Sequence, residues 1–472
     1  MTLRAHVATV GRTLGTLGLL TATLPVDTAL TVAALATRRW AGEGSSVDRR
    51  TFRRDDGPLP SDRKVRWVST DPDRSTDPRR TVLVTGAKMT KALVVARAFA
   101  ADGHRVVLAE TARYRWTAHR FSRAVDAFHV LPDPGGPGWE EALAALVRAE
   151  GIDTWVPVSS PASALPEAIA ARVLAEAGLD VEVVHLDPDR LHEVDDKHAF
   201  AVASAAAGLP VPDTHRITDP QQVLDFDFAG APARRYVLKS IAYDPVRRLD
   251  LTPLPRPTRA ETAAFVAGLP IDADHPWILQ ELLEGEEYCT HGTVRDGRLQ
   301  VHVCCRSSPW QLVYEQVDHP GIRDWVERFV AADPGRTGQV SLDFIDTVDG
   351  VRAIECNPRT HSALSLLDGH PGLAAAYVEA RDTPLEPPVG GRPTYWTYHE
   401  LWQGLRHPRT LPGRLALLVR GRDAVWSWQD PVPFWMLHHV HVPSLLVANL
   451  LRLRPWLRVD LNIGKLVEPG GD

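Results

Sequence analysis

The sequence predicts an α/β domain built on a parallel sheet, followed by a larger α+β domain. From residue 81, short β-branched apolar segments alternate with segments of helical periodicity, which is typical of a doubly wound parallel sheet. Beyond residue 236, strand-like segments follow one another through Asp-Gly turns at residues 296–297 and 349–350, which indicates antiparallel hairpins. The chain has 472 residues, enough for about three domains at roughly 150 residues each.

The composition is that of a soluble globular enzyme. The net charge is −6 and 44% of the residues are hydrophobic, whereas a nucleic-acid-binding protein is usually basic. The four cysteines are too few for a disulfide framework and contain no Cys-x-x-Cys pair, so we expect reduced thiols and a cytoplasmic protein. The chain has 47 Arg, only 6 Lys and only 3 Asn, so a Lys or Asn is expected where its own chemistry is needed. This applies to Lys88, Lys91, Lys197, Lys239 and Asn357.

Both ends of the chain are apolar. Residues 13–26 and 28–37 carry no charge but are separated by Asp27, so neither half reaches the roughly 20 residues that span a bilayer. For residues 1–40 we therefore expect a pair of packing or interfacial helices, with a secretory signal as the alternative. Residues 41–80 include 18 charged residues and are predicted to be a solvated linker.

The C-terminal part, residues 381–472, is rich in Trp and Pro. Residues 431–451 carry no formal charge, but their three prolines argue against a spanning helix. We expect a module packed against the protein, with peripheral membrane contact as the alternative. Its His438, His439 and His441 lack a neighbouring carboxylate or Cys, so they are expected to pack rather than to bind a metal.

The first domain is predicted over residues 81–186, with strands at 81–85, 105–109 and 154–158 and helices at 88–102, 138–150 and 161–178. The turn at residues 86–90 lacks the Gly-x-Gly-x-x-Gly spacing of a dinucleotide site. Its lysines are either exposed turn residues or an anion contact at a helix N-terminus. The second domain is predicted over residues 187–380, mainly helical to residue 224 and then rich in strands.

Two carboxylates and an amide follow the last predicted hairpin. Asp343 and Glu355 lie on neighbouring antiparallel strands, and Asn357 follows two residues later. Mg²⁺ prefers oxygen ligands, so this set is suited to a metal–nucleotide complex; a surface ion-pair network is the alternative. Lys197 and Lys239, on separate elements, can supply positive charge to phosphates. Residues 280–287 join two strands as a hinge that can offer main-chain groups to a nucleobase.

The order of these motifs over residues 187–379 resembles the ATP-grasp superfamily of ligases, with the first domain as the pre-ATP-grasp domain. More closely, several segments resemble the mycosporine-glycine synthases, the 4-deoxygadusol–glycine ligases of mycosporine-like amino acid biosynthesis. Those segments are residues 86–91, 118–126, 157–161, 244–251, 355–363 and 461–466.

The resemblance implies ATP and Mg²⁺ as cofactors and assigns roles to individual residues. Lys197 and Lys239 would contact phosphates, Asp343, Glu355 and Asn357 would hold Mg²⁺, and Arg359 would steady the transferred phosphoryl group. In the hinge, Gln280, Glu281 and the backbone near Leu283 would hold adenine, and Glu287 would bind ribose. The stretch after Lys239 lacks the Gly-rich loop of the family, and Arg247 and Arg248 are candidates for its place.

The implied reaction joins 4-deoxygadusol to glycine, in a pocket between the two domains. Lys88, Arg120 and Ser159 are the candidates for holding these substrates, with surface charge and turn capping as the alternative. Two other functions stay open, a ligase for another acid or enol and amine, and a nucleotide sensor or membrane-bound scaffold. No nucleic-acid partner is expected, and the sequence predicts no oligomeric state.

Overall fold

The computed structural model describes residues 3–41, 79–230, 234–242, 244, 246–247, 250–307 and 312–468. Within the first stretch, side chains are described for residues 9–37. Most of the predicted linker, residues 42–78, and the candidate Arg248 lie outside the described residues.

The N-terminal segment forms one helix, α1 (Leu3–Ala41), with Pro25 inside it. The expected pair of helices is therefore wrong. Asp27 lies within α1 and is buried, with its Oδ2 2.8 Å from Nε2 of His439. A carboxylate with a buried partner is satisfied inside the helix and has no need of a break.

The first domain contains a five-stranded parallel sheet in the order β3-β2-β1-β4-β5. Strand β1 is buried at Val82, Leu83, Val84 and Thr85 because helices cover both faces of the sheet. Strands β3 and β5 have no counterpart in the sequence prediction, since they are short and partly polar. The elements are β1 (Thr81–Thr85), α2 (Thr90–Ala101), β2 (Arg105–Thr111), β3 (Ala127–Leu131), α3 (Trp139–Glu150), β4 (Thr154–Pro157), α4 (Ala164–Glu176) and β5 (Glu182–Val183).

The second domain begins with two helices and a small antiparallel sheet in the order β6-β8-β7. The Asp196 side chain accepts hydrogen bonds from the main-chain N–H groups of His198 and Ala199, so it caps the second helix and places Lys197 at its first position. The elements are α5 (Pro188–Asp195), α6 (Lys197–Ala206), β6 (Thr214–Ile217), α7 (Pro220–Leu224), β7 (Tyr236–Ser240), α8 (Arg259–Val266) and β8 (Trp277–Glu281).

A larger antiparallel sheet follows, in the order β10-β9-β12-β13. Helix α9 packs an apolar face that includes Trp325 and Phe329 against it, and Phe344 of the sheet meets the Trp325 ring edge-on at 5.2 Å. The elements are β9 (Glu286–Arg295), β10 (Arg298–Arg306), β11 (Val313–Tyr314), α9 (Pro320–Ala331), β12 (Gly338–Thr347), β13 (Gly350–Asn357) and α10 (Leu373–Val378).

The C-terminal part packs on the first domain and on α1. Residues Val432–Leu451 form a continuous helical stretch, α13, a π-helical turn (Leu437–His441) and α14. Prolines lie in the first turns of α13 and α14, where no N–H is required. The helix break that the sequence predicted at these prolines does not occur. The elements are β14 (Thr394–Tyr395), α11 (Thr397–Arg406), α12 (Leu411–Arg420), β15 (Arg422–Asp423), α13 (Val432–Met436), α14 (Val442–Leu451), β16 (Arg458–Asp460) and β17 (Lys465–Val467).

Two helical stretches, Thr9–Thr37 and Val432–Leu451, are long and apolar enough to cross a membrane by length and composition. Their mean hydropathies are 1.6 and 1.2. Core helices and signal sequences have the same properties, so length and composition do not by themselves establish a membrane span.

Candidate active site

Asp343 and Glu355 lie side by side in the large sheet. They are partners in the β12–β13 ladder, and Asn357 pairs with Ser341 two residues along it. The Nδ2 atom of Asn357 lies 3.2 Å from Oδ2 of Asp343 and 3.3 Å from Oε1 of Glu355. The structure thus brings together the three side chains that the sequence assigned to a metal.

The two carboxylates have opposite electrostatic surroundings. Burial and the neighbouring charge of Glu355 raise the pKa of Asp343 well above its usual range. Burial alone would raise the pKa of Glu355 as well, but the ammonium groups of Lys197 and Lys239 lower it. Two adjacent carboxylates of this kind are stabilised by a cation placed between them.

The donor set fits Mg²⁺, which binds carboxylate and amide oxygens and keeps other positions for water or phosphate. Among the described residues, no group of three or more His, Cys, Asp or Glu is placed to hold a metal ion. Asp343 and Glu355 offer carboxylate oxygens here, and the amide oxygen of Asn357 is the third oxygen of the set. That oxygen accepts a hydrogen bond from the Arg359 guanidinium. A rotation of the amide group by 180° would exchange the positions of its oxygen and its nitrogen.

Two lysines approach this set from separate elements. The Nζ atom of Lys197 lies 3.9 Å from Oε2 of Glu355 and donates to the carbonyl of Ile241 at 3.5 Å. The Nζ atom of Lys239, on β7, donates to Oε1 of Gln280 at 2.9 Å. Burial lowers the pKa of Lys239, and the charge of Glu355 opposes this effect. Positive charge is therefore concentrated beside the carboxylates, as phosphate binding requires.

Gln280 and Glu281, at the end of β8 where the hinge begins, have their side chains on opposite faces. Gln280 points towards the site, where Nε2 donates to the carbonyl of Ile354 at 3.1 Å and so joins the small sheet to β13. Glu281 points away, with Oε1 3.4 Å from Nε of Arg234. Its side chain is therefore turned away from the site, and the main chain near half-exposed Leu283 is the part of the hinge that can meet a nucleobase.

Glu287 and Arg359 lie beside Asp343, Glu355 and Asn357, which are called the metal set below. Glu287 is on β9, paired with Ile345, and its Oε1 accepts a hydrogen bond from Oγ of Ser307 at 3.1 Å. Burial lowers the pKa of Arg359, while the charges of Asp195, Glu355 and Asp343 raise it. Arg359 also lines a neighbouring cavity, so it is placed between the metal set and that cavity.

A cavity of about 570 Å³ lies at the carboxyl ends of β1, β2 and β4. Residues 359–362, which follow β13, and residues 462–465 also line it. The cavity is therefore between the two domains, where the substrate pocket was expected. Lys88 and Ser159, both predicted substrate contacts, line it.

Of the comparisons with known proteins, the one with solved structures gives a result, and that result concerns the fold. No family model matches the chain, and no curated protein matches its sequence. N5-carboxyaminoimidazole synthetase from Staphylococcus aureus, solved with ADP, matches with a TM-score of 0.50 and 11% identity, over 66% of this chain and 80% of the other. The chain has the ATP-grasp fold.

Two other solved structures with this fold are similar to lesser degrees. Biotin carboxylase from Campylobacter jejuni has a TM-score of 0.49 and 13% identity, over 64% of this chain and 72% of the other. Phosphoribosylamine–glycine ligase from Thermotoga maritima has a TM-score of 0.47 and 14% identity, over 65% and 78%. The predicted fold class, a parallel-sheet domain followed by an ATP-grasp domain, is confirmed.

The cavity beside the ATP-grasp site contains charged groups that the sequence prediction did not assign. Lys88 donates from its main-chain N–H to Oε2 of Glu110 at 2.9 Å, and its Nζ lies 4.5 Å from the centre of the Tyr114 ring. Ser159 has a φ of 47° and donates from Oγ to Glu167. The sequence around Glu110 and Glu167 does not indicate that they lie at a cavity, because glutamates at such strand and helix positions are equally common on protein surfaces.

Three substrate candidates lie elsewhere or are engaged locally. Arg120 does not line the cavity: its guanidinium donates to the carbonyl of Arg115 and lies 4.3 Å from the centre of the Phe128 ring. Arg247 donates to Oδ2 of Asp244 at 3.1 Å and is half-exposed. Arg248 lies outside the described residues.

The cysteines and the histidine group of the C-terminal segment are packed in the interior. Cys289, Cys304, Cys305 and Cys356 are free and buried. Nδ1 of His438 donates to the carbonyl of Phe434 at 2.9 Å, in the tautomer that carries its proton on that nitrogen. The other two rings are also held within the protein: His441 is buried, and Nε2 of His439 lies 2.8 Å from Oδ2 of Asp27.

Proposed function

We propose that this protein is an ATP-dependent ligase that forms a C–N bond between 4-deoxygadusol and glycine. The observation that carries the proposal is the convergence of Lys197, Lys239, Asp343, Glu355 and Asn357 beside a cavity between the two domains. The ATP-grasp fold supports the nucleotide part, since the matching Staphylococcus aureus protein was solved with ADP.

The site residues divide into a nucleotide part and a metal part. In this proposal Lys197 and Lys239 hold the phosphates, while the hinge main chain near Leu283 and the carboxylate of Glu287 hold adenosine. Asp343, Glu355 and Asn357 hold Mg²⁺, which when bound supplies charge neutralisation at the phosphates.

The substrates are proposed from the motif resemblance and from the chemistry of the acceptor. The enolised 1,3-dicarbonyl of 4-deoxygadusol is a vinylogous carboxylic acid, so its enolate oxygen can attack the γ-phosphorus of ATP and release ADP. The neutral amine of glycine then adds to the ring carbon that carries the new phosphate. Phosphate leaves with the C–O bonding electrons, the nitrogen loses a proton, and an enaminone remains.

The chain's own residues position these groups rather than form covalent bonds with them. Arg359 lies beside Asn357 and at the cavity wall, so it can steady the phosphoryl group as it passes from nucleotide to acceptor. Lys88 and Ser159 line the acceptor side. Substrates that fill the cavity would displace water, which would otherwise hydrolyse the phosphorylated enol.

The test is phosphate release by the purified protein with Mg-ATP, 4-deoxygadusol and glycine, each omitted in turn. We expect release to require all of them and a product with the mass and ultraviolet absorbance of the glycine adduct. A matched control is Arg298→Gln, on the exposed hairpin, against Arg359→Gln. If ATP binds but no adduct forms, 4-deoxygadusol and glycine are rejected as the substrates. The alternative is then a ligase that joins another acid or enol to another amine. Absence of ATP binding would reject the ligase itself.

A further inference from the structure

The buried side chains of helix α1 are mostly polar, whereas its exposed side chains are mostly apolar. Thr13, Asp27 and Thr31 are buried at 1%, 7% and 8% exposure, whereas Val26 and Val32 are 59% and 58% exposed. A surface helix of a water-soluble protein has the opposite pattern. Other exposed apolar side chains of α1 are Leu14, Leu24, Leu30 and Leu35.

Three polar side chains of α1 have partners in the C-terminal part. Nε1 of Trp456 donates to Oγ1 of Thr13 at 2.9 Å, and Nε1 of Trp435 donates to Oγ1 of Thr28 at 3.0 Å. Between them, Asp27 meets His439 and the Tyr398 hydroxyl. Because residue numbers rise along α1 as they fall along its partner, the two helical stretches are antiparallel.

These contacts hold α1 against the body of the protein. Residues 13 and 28 are about 22 Å apart along a helix that rises 1.5 Å per residue. Over that length one stripe of α1 is engaged by protein and the other faces are open. Such a helix presents an outer face to its surroundings and is not free to cross a bilayer away from the body. This geometry is that of a helix lying in a membrane interface.

An apolar, basic segment continues this surface at one end. Leu451, Leu453 and Leu457 are 80%, 63% and 53% exposed, and they alternate with exposed arginines. The segment adjoins the N-terminal half of α1, because Trp456 bonds Thr13. The exposed arginines are Arg452, Arg454 and Arg458. Leucines beside arginines suit the acyl boundary and the headgroups of anionic lipids.

We propose that the outer face of α1, together with residues 451–458, docks on a lipid bilayer that contains anionic lipid. This surface is called the docking face below. It is independent of the nucleotide site and would hold the enzyme at a membrane surface without spanning it. The polar stripe of α1 then contacts protein and its apolar faces contact acyl chains, so each side chain meets a compatible surrounding.

The test is flotation of the purified full chain with vesicles of phosphatidylcholine alone, or with about 30 mol% phosphatidylglycerol, at low salt and at about 0.5 M NaCl. We expect flotation with the anionic vesicles and weaker flotation at high salt. The variant Val26→Glu/Val32→Glu should reduce the bound fraction at least about tenfold, because charges in the interface oppose insertion. Arg452→Gln/Arg454→Gln should remove most of the preference for anionic vesicles.

A matched control is Val348→Glu/Val389→Glu, two valines that are 102% and 64% exposed outside the docking face. It should float like the unchanged protein, and circular dichroism should show equal helix content in all variants. Lack of flotation with either vesicle type would overturn the proposal. Self-association would also overturn it. If sedimentation shows that the chain self-associates in the presence of vesicles, and Val26→Glu/Val32→Glu abolishes this association, the docking face binds a second copy of the chain.

Discussion

The Nζ atom of Lys91 donates a hydrogen bond to the carbonyl oxygen of Thr360 at 2.5 Å, across 269 residues of chain. The same ammonium donates to the carbonyl of Ser159 at 3.0 Å. One buried lysine on α2 therefore ties the carboxyl edge of the parallel sheet to the segment that follows the metal set. Burial lowers the pKa of Lys91 well below its usual range, and the charge of Arg359 lowers it further.

Replacing this lysine should weaken the contact between the two domains. We expect Lys91→Met to lower the free energy of unfolding by about 1–3 kcal/mol, because two carbonyls lose their buried donor. Urea unfolding measures this. The comparison variant is Arg420→Met, whose guanidinium forms an exposed ion pair with Glu315 at 3.0 Å and should cost less than about 1 kcal/mol. Equal losses in the two variants would contradict a bridging role for Lys91.

Removing one carboxylate of the metal set should separate activity from stability. Asp343→Asn should reduce metal affinity about 10–100-fold, measured as the Mg²⁺ dependence of ATP turnover. In the absence of metal it should leave the melting temperature unchanged or raise it, since it removes the repulsion from Glu355 that raises the pKa of Asp343. A clear drop in melting temperature without metal would show that this repulsion is not significant. Asp349→Asn, at the exposed hairpin tip, is the control.

Lys239 should act on the nucleotide through its charge. We expect Lys239→Met to reduce kcat/KM for ATP by about 100–1,000-fold, the cost of losing one preorganised positive group at a phosphate. Gln280→Leu should have a smaller effect, because it frees the ammonium from a 2.9 Å hydrogen bond but keeps its charge. Steady-state kinetics at varied ATP distinguish the two. Similar losses would indicate that the hydrogen bond, and not the charge, is what the site requires.

Stability in acid should depend on His185. This ring is fully buried, with Nε2 2.9 Å from the carbonyl of Ala164, and burial lowers its pKa from 6.5 to about 4. The unfolded chain therefore binds a proton that the folded chain does not between those values. The contribution of His185 to stability is complete above pH 6.5 and falls by about 1.4 kcal/mol per pH unit as the pH decreases.

The measurement is urea unfolding from pH 7 down to about pH 4.5. His185→Gln should have a shallower loss of stability with falling pH, by about 1.4 kcal/mol per unit. His407→Gln, at an exposed position, should keep the slope of the unchanged protein. Identical slopes for both variants would mean that His185 is not neutral in the folded state.

The extent of sequence-based prediction differs between the metal set and the cavity. Asp343 and Glu355 could be placed together because alternation along two strands joined by a short hairpin determines which side chains are neighbours. The sequence pattern around Arg120 did not predict its contact, a guanidinium that lies on the Phe128 ring and outside the cavity lining. Lys91 was noted as a scarce lysine, but its partners are 68 and 269 residues away.

The sequence by itself predicted the fold class and the strands of the large antiparallel sheet, because these depend on local periodicity and short-range hairpins. The residues assigned to the nucleotide rest on the scarcity of lysine and on the motif resemblance, and they stay a prediction. Tertiary structure decided the rest. The cavity between the domains, the bridge made by Lys91 and the inward polar stripe of α1 all join segments distant in the chain. Asp27 suggests a helix break in the sequence, yet it lies inside a helix, because His439 and Tyr398 supply the partners that a buried carboxylate requires.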